Sequence, residues 1–246
     1  MRRLSWQVVL GIVLLLLSAV FYLLEYVIFR DARHLFMYLF SDTAFVFIEV
    51  LLVTLIIHSL LNEREKRTRL EKLNMVIGAF FSEVGTGLLT YLSDFDPRLD
   101  EIRKELIVGD DWSEKEFSGV HKRLKVYEYS IDLKRADLGE LRRFLIEKRD
   151  FLLRLVENPT LLEHETFTVL LRAVFHLTEE LANREHVVGL PDPDYRHLEV
   201  DIKRVYAQLA YEWLDYMRYL KGNYPFLFSF AMRTNPFDQS ASAIIK

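Results

Sequence analysis

The sequence has no cysteine among its 246 residues, which excludes a disulfide scaffold, a thiolate zinc site and a cysteine nucleophile. Charge is also scarce at the start of the chain, since only four of the 32 basic residues and four of the 36 acidic residues fall within residues 1–61. The whole chain is 51% hydrophobic and 28% charged, a composition that argues against a mostly disordered protein. The uneven distribution of charged residues divides the sequence into an apolar first part and a charged second part.

Residues 8–29 form an apolar run with a single charged side chain, Glu25. A helix of about 20 such residues crosses the hydrocarbon of a bilayer, so the run predicts a transmembrane span. A cleaved signal peptide is the alternative, because Arg2 and Arg3 resemble the basic start of such a peptide. The transmembrane interpretation is favoured, since the run exceeds the usual apolar length of about 7–15 residues and no small-residue cleavage site follows it.

A second apolar run covers residues 35–61 and follows the first after the short polar link 30–34. Two spans joined so closely form an antiparallel hairpin, which makes residues 1–61 a predicted membrane domain. Arg2 and Arg3 precede the hairpin, and a basic cluster follows it. The positive-inside rule therefore predicts a multi-pass protein of the plasma (inner) membrane with both termini in the cytoplasm.

Three acidic residues lie within the predicted spans, namely Glu25, Asp42 and Glu49. Asp42 and Glu49 are two helical turns apart and share one face of the second span. Charge at this depth is costly, so such residues usually face protein or water. They either line a cation or proton path in an oligomer or form hydrogen bonds between packed helices. Packing is the favoured role, because one hairpin cannot enclose a pore.

Residues 62–95 are predicted to extend the second span as a stalk helix, because neither proline nor glycine breaks its beginning. The basic cluster at the start of the stalk abuts the predicted bilayer, and its expected partners are anionic lipid headgroups rather than nucleic acid. The residues of this headgroup-binding cluster are Arg64, Lys66, Arg67, Arg69 and Lys72.

An apolar stripe follows with heptad spacing along the same stalk helix. Such a stripe packs either against another copy in a coiled coil or against the protein's own bundle, and the pattern leaves both open. Gly85 and Gly87 lie at the end of the stripe and indicate close helix contact or a weak helix end. The stripe begins with Leu70, Leu73, Ile77, Phe80 and Val84.

The rest of the chain predicts an all-α cytosolic bundle over residues 96–237, followed by a mobile tail at 238–246. Helix starts are indicated by Asp96 before Pro97, by Asp192 before Pro193, and by capping boxes at Ser113, Asp137 and Thr160. The expected helices cover about 97–107, 113–129, 138–157, 161–185 and 193–221. The last two are expected to pack as an antiparallel pair, because each presents one apolar face.

Imidazoles and carboxylates accumulate on this helix pair. His176 and Glu180 lie one turn apart on the first helix, and His197 and Asp201 lie one turn apart on the second. Facing helices with such side chains can bind iron, manganese or zinc. Glu163, His164, Glu179 and Asp194 accompany them, but helix capping and ordinary solvated charge pairs explain the pattern and are favoured over a metal site.

No phosphate-binding loop, nucleophile elbow or HExxH motif is present, so an enzyme is not expected and no cofactor is predicted. The first hypothesis is a non-enzymatic homo-oligomer whose cytosolic bundle is a regulatory or scaffolding module for a cytosolic protein partner. The alternative is an oligomeric cation or proton channel that uses Asp42 and Glu49. The third is a membrane-anchored metal-binding enzyme that uses the histidines and acids of the helix pair.

Overall fold

The computed structural model describes residues 6–30, 32–133, 136–159, 161 and 164–244, and all regular structure in these residues is helical. The prediction of an all-α protein is therefore confirmed. The α-helices are α1 Trp6–Phe29, α2 Ala32–Phe80, α3 Thr86–Asp94, α4 Glu114–Val126, α5 Leu138–Val156, α6 Glu165–Ala182, α7 Asp192–Asn223 and α8 Pro225–Arg233.

The chain separates into two compact units, Met1–Lys66 and Arg67–Lys246. The first unit contains α1 and the beginning of α2, and both helices are long and apolar enough to cross a membrane. Their large apolar side chains are exposed, as shown by Leu15 with 74% and Phe47 with 74% of their surface accessible. Arg30 separates the two helices with a φ of 49°, in the left-handed region that ends a helix.

In the second unit, the rest of α2 continues through a π-helical turn, Phe81–Gly85, into α3. The apolar stripe of this helix is buried in the protein's own core from Leu73 to Val84, whereas Leu70 is 46% exposed. The ring of Phe80 packs edge-on against Phe167 of α6, with centroids 5.2 Å apart. The stripe therefore contributes a core helix to the bundle within a single chain.

Gly85 closes the π-helical turn because a larger residue does not fit there. A Cβ atom at this position would lie 2.6 Å from the ring of Phe81 and 2.9 Å from that of Phe80. The helix then continues through α3 to Asp94. Close contact, rather than the end of a helix, thus explains this glycine.

The helix expected over residues 97–107 is instead two short 3₁₀ segments, Leu99–Glu101 and Arg103–Leu106. Leu99, Ile102 and Leu106 are buried, so the apolar spacing is used although the α-helix does not form. Asp96 is itself buried and accepts hydrogen bonds from the Arg98 amide at 2.9 Å and from the Tyr127 hydroxyl at 2.8 Å. The hydrogen bond from Arg98 is local, whereas the hydrogen bond from Tyr127 joins Asp96 to the segment that follows α4.

The predicted starts of α4 and α5 are confirmed. Ser113 forms a reciprocal capping box with Glu116, and the Asp137 carboxylate accepts a hydrogen bond from the Glu140 amide at 2.9 Å. The capping box predicted at Thr160 and Glu163 lies outside the described residues. Helix α6 begins at Glu165, and the His164 ring caps it by accepting a hydrogen bond from the Phe167 amide at 3.2 Å.

Helix α7 is the central element of the second unit and packs against α3, α4, α6 and α8. Its buried face includes Leu198, Ile202, Leu209 and Trp213, in agreement with the single apolar face expected for this helix. Helix α8 contributes Phe228 to this core, while Phe226 and Phe230 remain exposed. The phenylalanine side chains of α8 are thus only partly buried.

Candidate metal centre

Helices α6 and α7 form an antiparallel pair, and their side chains meet in a regular register. His176 faces Asp201, Glu180 faces His197, and Arg184 faces Asp194. The loop 183–191 that joins the helices contains Gly189 with a φ of 73°, a conformation that glycine adopts without strain. The Gly189 amide donates a hydrogen bond to the Tyr195 hydroxyl at 3.0 Å.

The four residues predicted to ligate a metal lie together across this pair. The Nε2 atom of His176 is 3.2 Å from Oδ2 of Asp201, and the Nε2 atom of His197 is 3.4 Å from the same oxygen. Glu180 places Oε1 3.8 Å from His176 Nε2 and Oε2 3.7 Å from His197 Nε2. Donor atoms of His176, Glu180 and His197 all lie within 4.8 Å of one another.

Asp201 is the buried member of this cluster, with only 4% of its side chain exposed. Its Oδ1 accepts a hydrogen bond from Arg204 at 2.9 Å, whereas its Oδ2 has no hydrogen-bond partner among the described residues. The Nε2 atoms of His176 and His197 lie at ion-pair distance from this oxygen, so its charge is balanced either by protons on the imidazole rings or by a bound cation. The two histidines are about half exposed, at 48% and 51%, so the cluster opens to solvent on the side opposite Asp201.

Arg184 holds the acidic residues at one end of the cluster. Its guanidinium contacts Glu180 Oε2 at 2.7 Å and Asp194 Oδ1 at 2.7 Å, which joins the two helices. The hydrogen bond from Arg184 lowers the pKa of Glu180 below its ordinary value, so Glu180 is a carboxylate at neutral pH. Sequence reasoning missed this arginine, although its spacing of four residues from Glu180 was a usable signal.

The other polar residues of the predicted constellation lie outside the cluster. Glu179 forms an ion pair with Arg149 of α5 at 2.6 Å, and Asp194 is held by Arg184. His164 caps α6, and Glu163 lies outside the described residues. Four of the predicted residues therefore converge in the cluster, whereas Glu179 and Asp194 form ion pairs with arginines and His164 caps a helix.

The remaining site residues that the sequence predicted lie along α1 and α2. Asp42 and Glu49 are exposed on α2, and Glu25 is half-buried on α1. The basic cluster from Arg64 to Lys72 is exposed as well, with Arg67 paired to Glu71 at 3.3 Å.

The chain is therefore an all-helical protein built from two helical regions, one of them with a histidine–carboxylate cluster. It belongs to the MJ1433 family: residues 69–233 match the model described as "Uncharacterized protein MJ1433, C-terminal helical domain", and residues 2–61 match "MJ1433, N-terminal helical domain". It is 45% identical over 239 residues to "Uncharacterized protein MJ1433" of Methanocaldococcus jannaschii, a similarity that covers 97% of this chain and 96% of that protein. No solved structure matches the chain significantly.

Proposed function

We propose that the chain is an integral membrane protein whose cytosolic helical domain binds a divalent transition-metal ion and acts as a non-enzymatic regulatory module. The observation that supports this proposal is the convergence of two imidazole nitrogens on the buried Oδ2 of Asp201, an oxygen without a hydrogen-bond partner among the described residues.

The spacing of the donor atoms suits a metal ion. A tetrahedral ion with bonds of about 2.1 Å holds its ligand atoms about 3.4 Å apart. The four nitrogen–oxygen separations of the cluster lie between 3.2 and 3.8 Å, with the two from Glu180 measured to different oxygens of its carboxylate. With one donor atom from each residue, His176, Glu180 and His197 lie within 4.8 Å of one another. Imidazole and carboxylate donors without a thiolate favour zinc, iron or manganese.

Two arginines fix the carboxylates of the cluster. Arg204 binds the second oxygen of Asp201 and Arg184 binds Glu180, so the position of each carboxylate is held by an ion pair. Such contacts orient metal ligands. Asp194 offsets part of the arginine charge through its own pair with Arg184.

The position of the cluster supports a regulatory role. The ligands come from two helices in equal number, so a bound ion would link α6 to α7 within about two turns of the loop that joins them. Binding to the folded state alone stabilises that state. Occupancy of the cluster would therefore stiffen the helix pair, which is the physical change that a partner protein could detect.

The membrane part of the proposal rests on exposed apolar surface. In the first unit, large apolar side chains are exposed on all sides of α1 and along α2 up to Leu61. Soluble monomers rarely present apolar surface of this extent, whereas hydrocarbon covers it at no cost. The basic residues that follow Leu61 favour a cytoplasmic location for the second unit.

Metal binding is tested with the full-length protein in detergent, freed of metal by a chelator and titrated with Zn²⁺ by calorimetry. We expect one equivalent of zinc to bind, and we expect His176→Ala and His197→Ala each to lower the affinity at least about tenfold. His186→Ala is the matched control, because His186 is exposed in the loop after α6 and distant in register from the cluster. Equal affinity in all four proteins, or no stoichiometric binding, would overturn the metal centre.

The topology is tested by cysteine labelling, which has no background because the chain contains no cysteine. Arg33→Cys lies between the predicted spans and Ser240→Cys lies near the C-terminus. We expect a membrane-impermeant maleimide to label intact cells only at position 33, and position 240 only after lysis. Labelling of both positions in intact cells, or of neither before lysis, would contradict the proposed hairpin.

A further inference from the structure

A second candidate site is a groove of about 510 Å³ in the second unit. Its lining comes from three segments, namely residues 74–86, residues 216–220 at the end of α7, and residues 224–234 on and around α8. None of the described residues that line the groove is acidic or basic. The volume falls within the range of about 300–1,000 Å³ that is typical of small-molecule pockets, and the lining suits the uncharged part of a ligand.

Small residues on one side of the groove keep it open. Gly78, Ala79 and Ser82 line it from the helix that carries the apolar stripe. A Cβ atom at residue 78 would lie 3.2 Å from the hydroxyl oxygen of Tyr216, so the ring of Tyr216 packs closely against this helix. The same ring stacks on Phe81, with centroids 4.9 Å apart and an interplanar angle of 11°. Packed rings therefore form this wall of the groove within the chain itself.

Large apolar side chains of the lining remain exposed to solvent. Met75 is 63% exposed, Leu227 is 42% exposed and Phe230 is 50% exposed, and all three line the groove. Removing such surface from water is favourable and requires no hydrogen bond from the ligand. A hydrocarbon chain that lies along the groove would cover these side chains.

A positive charge lies beside the groove. Arg233 is the only charged residue of α8, and in the sequence it stands between the lining residues Ala231 and Thr234. Its guanidinium lies 5.6 Å from the centre of the ring of Phe230, which also lines the groove. It donates a hydrogen bond to the carbonyl of Ala243, and no acidic side chain of the described residues forms an ion pair with it. Since arginine binds phosphate and carboxylate oxygens through paired N–H donors, this position favours an anionic headgroup.

We propose that the groove binds an anionic amphiphile with a single long hydrocarbon chain, and that Arg233 is the counter-ion of its headgroup. The uncharged lining matches the chain, and the guanidinium beside it matches the headgroup. The volume lies in the lower half of the range for small-molecule pockets, which favours one chain over the two chains of a bilayer lipid. The groove shares no residue with the histidine–carboxylate cluster, so the proposal goes beyond the proposed metal-dependent function.

The test uses the full-length protein in nanodiscs of phosphatidylcholine and two photoreactive probes with the same chain. They are hexadecyl phosphate and hexadecanol, each with a diazirine in the middle of the chain, and mass spectrometry of the cross-linked peptides locates the label. We expect saturable labelling of residues 74–86 and 224–234 by the phosphate probe, and displacement of this probe by unlabelled hexadecyl phosphate. The alcohol should label these residues severalfold less, because the charge-assisted hydrogen bonds to Arg233 are lost.

Two variants separate the chain from the headgroup. Ser82→Trp should lower the labelling at least about tenfold, because the indole ring fills the groove. Ser229→Trp is the matched control, since Ser229 is exposed on α8 and is not part of the lining. Arg233→Gln should lower the labelling by the phosphate probe severalfold and leave that by the alcohol unchanged. If Ser82→Trp does not fold, Arg233→Gln keeps the test decisive, because its effect is read from the ratio of the two probes.

Each outcome decides the proposal. Absence of saturable labelling in the groove, equal labelling by phosphate and alcohol, or unchanged labelling in Arg233→Gln would overturn it. Displacement of the probe by phosphatidylglycerol in the nanodisc, but not by unlabelled hexadecyl phosphate, would assign the groove to a bilayer lipid and overturn it as well. Labelling of α1 reports contact of the first unit with hydrocarbon, so the proposed membrane location and the proposed groove can fail separately.

Discussion

His176 of α6 and Asp201 of α7 meet across the helix pair, with Nε2 of the histidine 3.2 Å from a carboxylate oxygen that is buried and has no hydrogen-bond partner among the described residues. The Nε2 atom of His197, which precedes Asp201 by one turn of α7, lies 3.4 Å from the same oxygen. One oxygen approached by two imidazole nitrogens is the geometric core of the proposed metal centre.

Metal binding should raise thermal stability. A ligand that binds only the folded state at a hundredfold excess over its dissociation constant adds about 2.7 kcal/mol to the free energy of unfolding. We expect Zn²⁺ to raise the midpoint of thermal unfolding of the full-length protein. The midpoint can be measured by tryptophan fluorescence, because Trp213 is buried and its ring packs against Phe237. Asp201→Asn should abolish this increase, and an increase of the same size in that variant would argue against ligation by Asp201.

Two residues of the same heptad stripe should differ strongly in their contribution to folding. Phe80 is fully buried between Phe81 and Phe167, so Phe80→Ala should lower the free energy of unfolding by about 3–5 kcal/mol. Leu70 is 46% exposed, and Leu70→Ala should change it by no more than about 0.5 kcal/mol. Denaturant unfolding of both variants tests this difference. A large loss in Leu70→Ala would mean that another copy covers the stripe.

Two glycines should respond in opposite directions to alanine. Gly189 has a φ of 73°, so Gly189→Ala should lower the free energy of unfolding by about 1–2 kcal/mol. Gly119 lies in the middle of α4 with open space around it, so Gly119→Ala should raise this free energy by about 0.5–1 kcal/mol. The comparison is internally controlled, because the same methyl group is added in both cases. Changes of equal sign would be inconsistent with the loop conformation.

Asp96 should make stability depend on pH. Burial raises the pKa of this carboxyl group above its ordinary value of 3.8, so the folded protein holds the proton more tightly than the unfolded chain. The free energy of unfolding should therefore fall as the pH rises from 3.8 towards the folded pKa. Asp96→Asn removes the titrating group and keeps an acceptor for the Arg98 amide, so the fall should be smaller in this variant.

The control for this prediction is Asp100→Asn, since the Asp100 side chain is 91% exposed. Denaturant unfolding over a series of pH values should give parallel curves for Asp100→Asn and the unaltered protein. Parallel curves for Asp96→Asn and the unaltered protein would show that the buried carboxyl group does not titrate as argued.

The acids of the proposed membrane spans offer a test of assembly. Asp42 and Glu49 are exposed along α2. In a bilayer such groups require partners, and we propose that a further copy of the chain supplies them. Asp42→Asn together with Glu49→Gln should lower the oligomeric mass in detergent or weaken the oligomer by about 1–2 kcal/mol per contact, without any cation flux in liposomes from either protein. Flux that is present in the unaltered protein and lost in the double variant would instead support the channel.

Several features followed from local sequence rules alone. The caps at Ser113 and Asp137 were predictable, because a capping side chain bonds to an amide two or three residues away. The shared faces of His176 with Glu180 and of His197 with Asp201 were predictable from helical periodicity. The 3₁₀ turns over residues 99–106 were not predictable, because this segment buries Leu99, Ile102 and Leu106 in a core built from residues far apart in the chain.

The sequence by itself determined that this protein is helical, that two apolar helices are long enough to span a membrane, and which residues share a helix face. These properties depend on the spacing of apolar residues over a few positions and on the length of apolar runs, so a short stretch of sequence is enough to predict them. Only the tertiary structure decided that the stripe from Leu73 to Val84 packs inside its own bundle and that Asp201 is buried next to two histidines. Burial and pairing depend on which faces meet, and that is set by contacts between residues far apart in the chain.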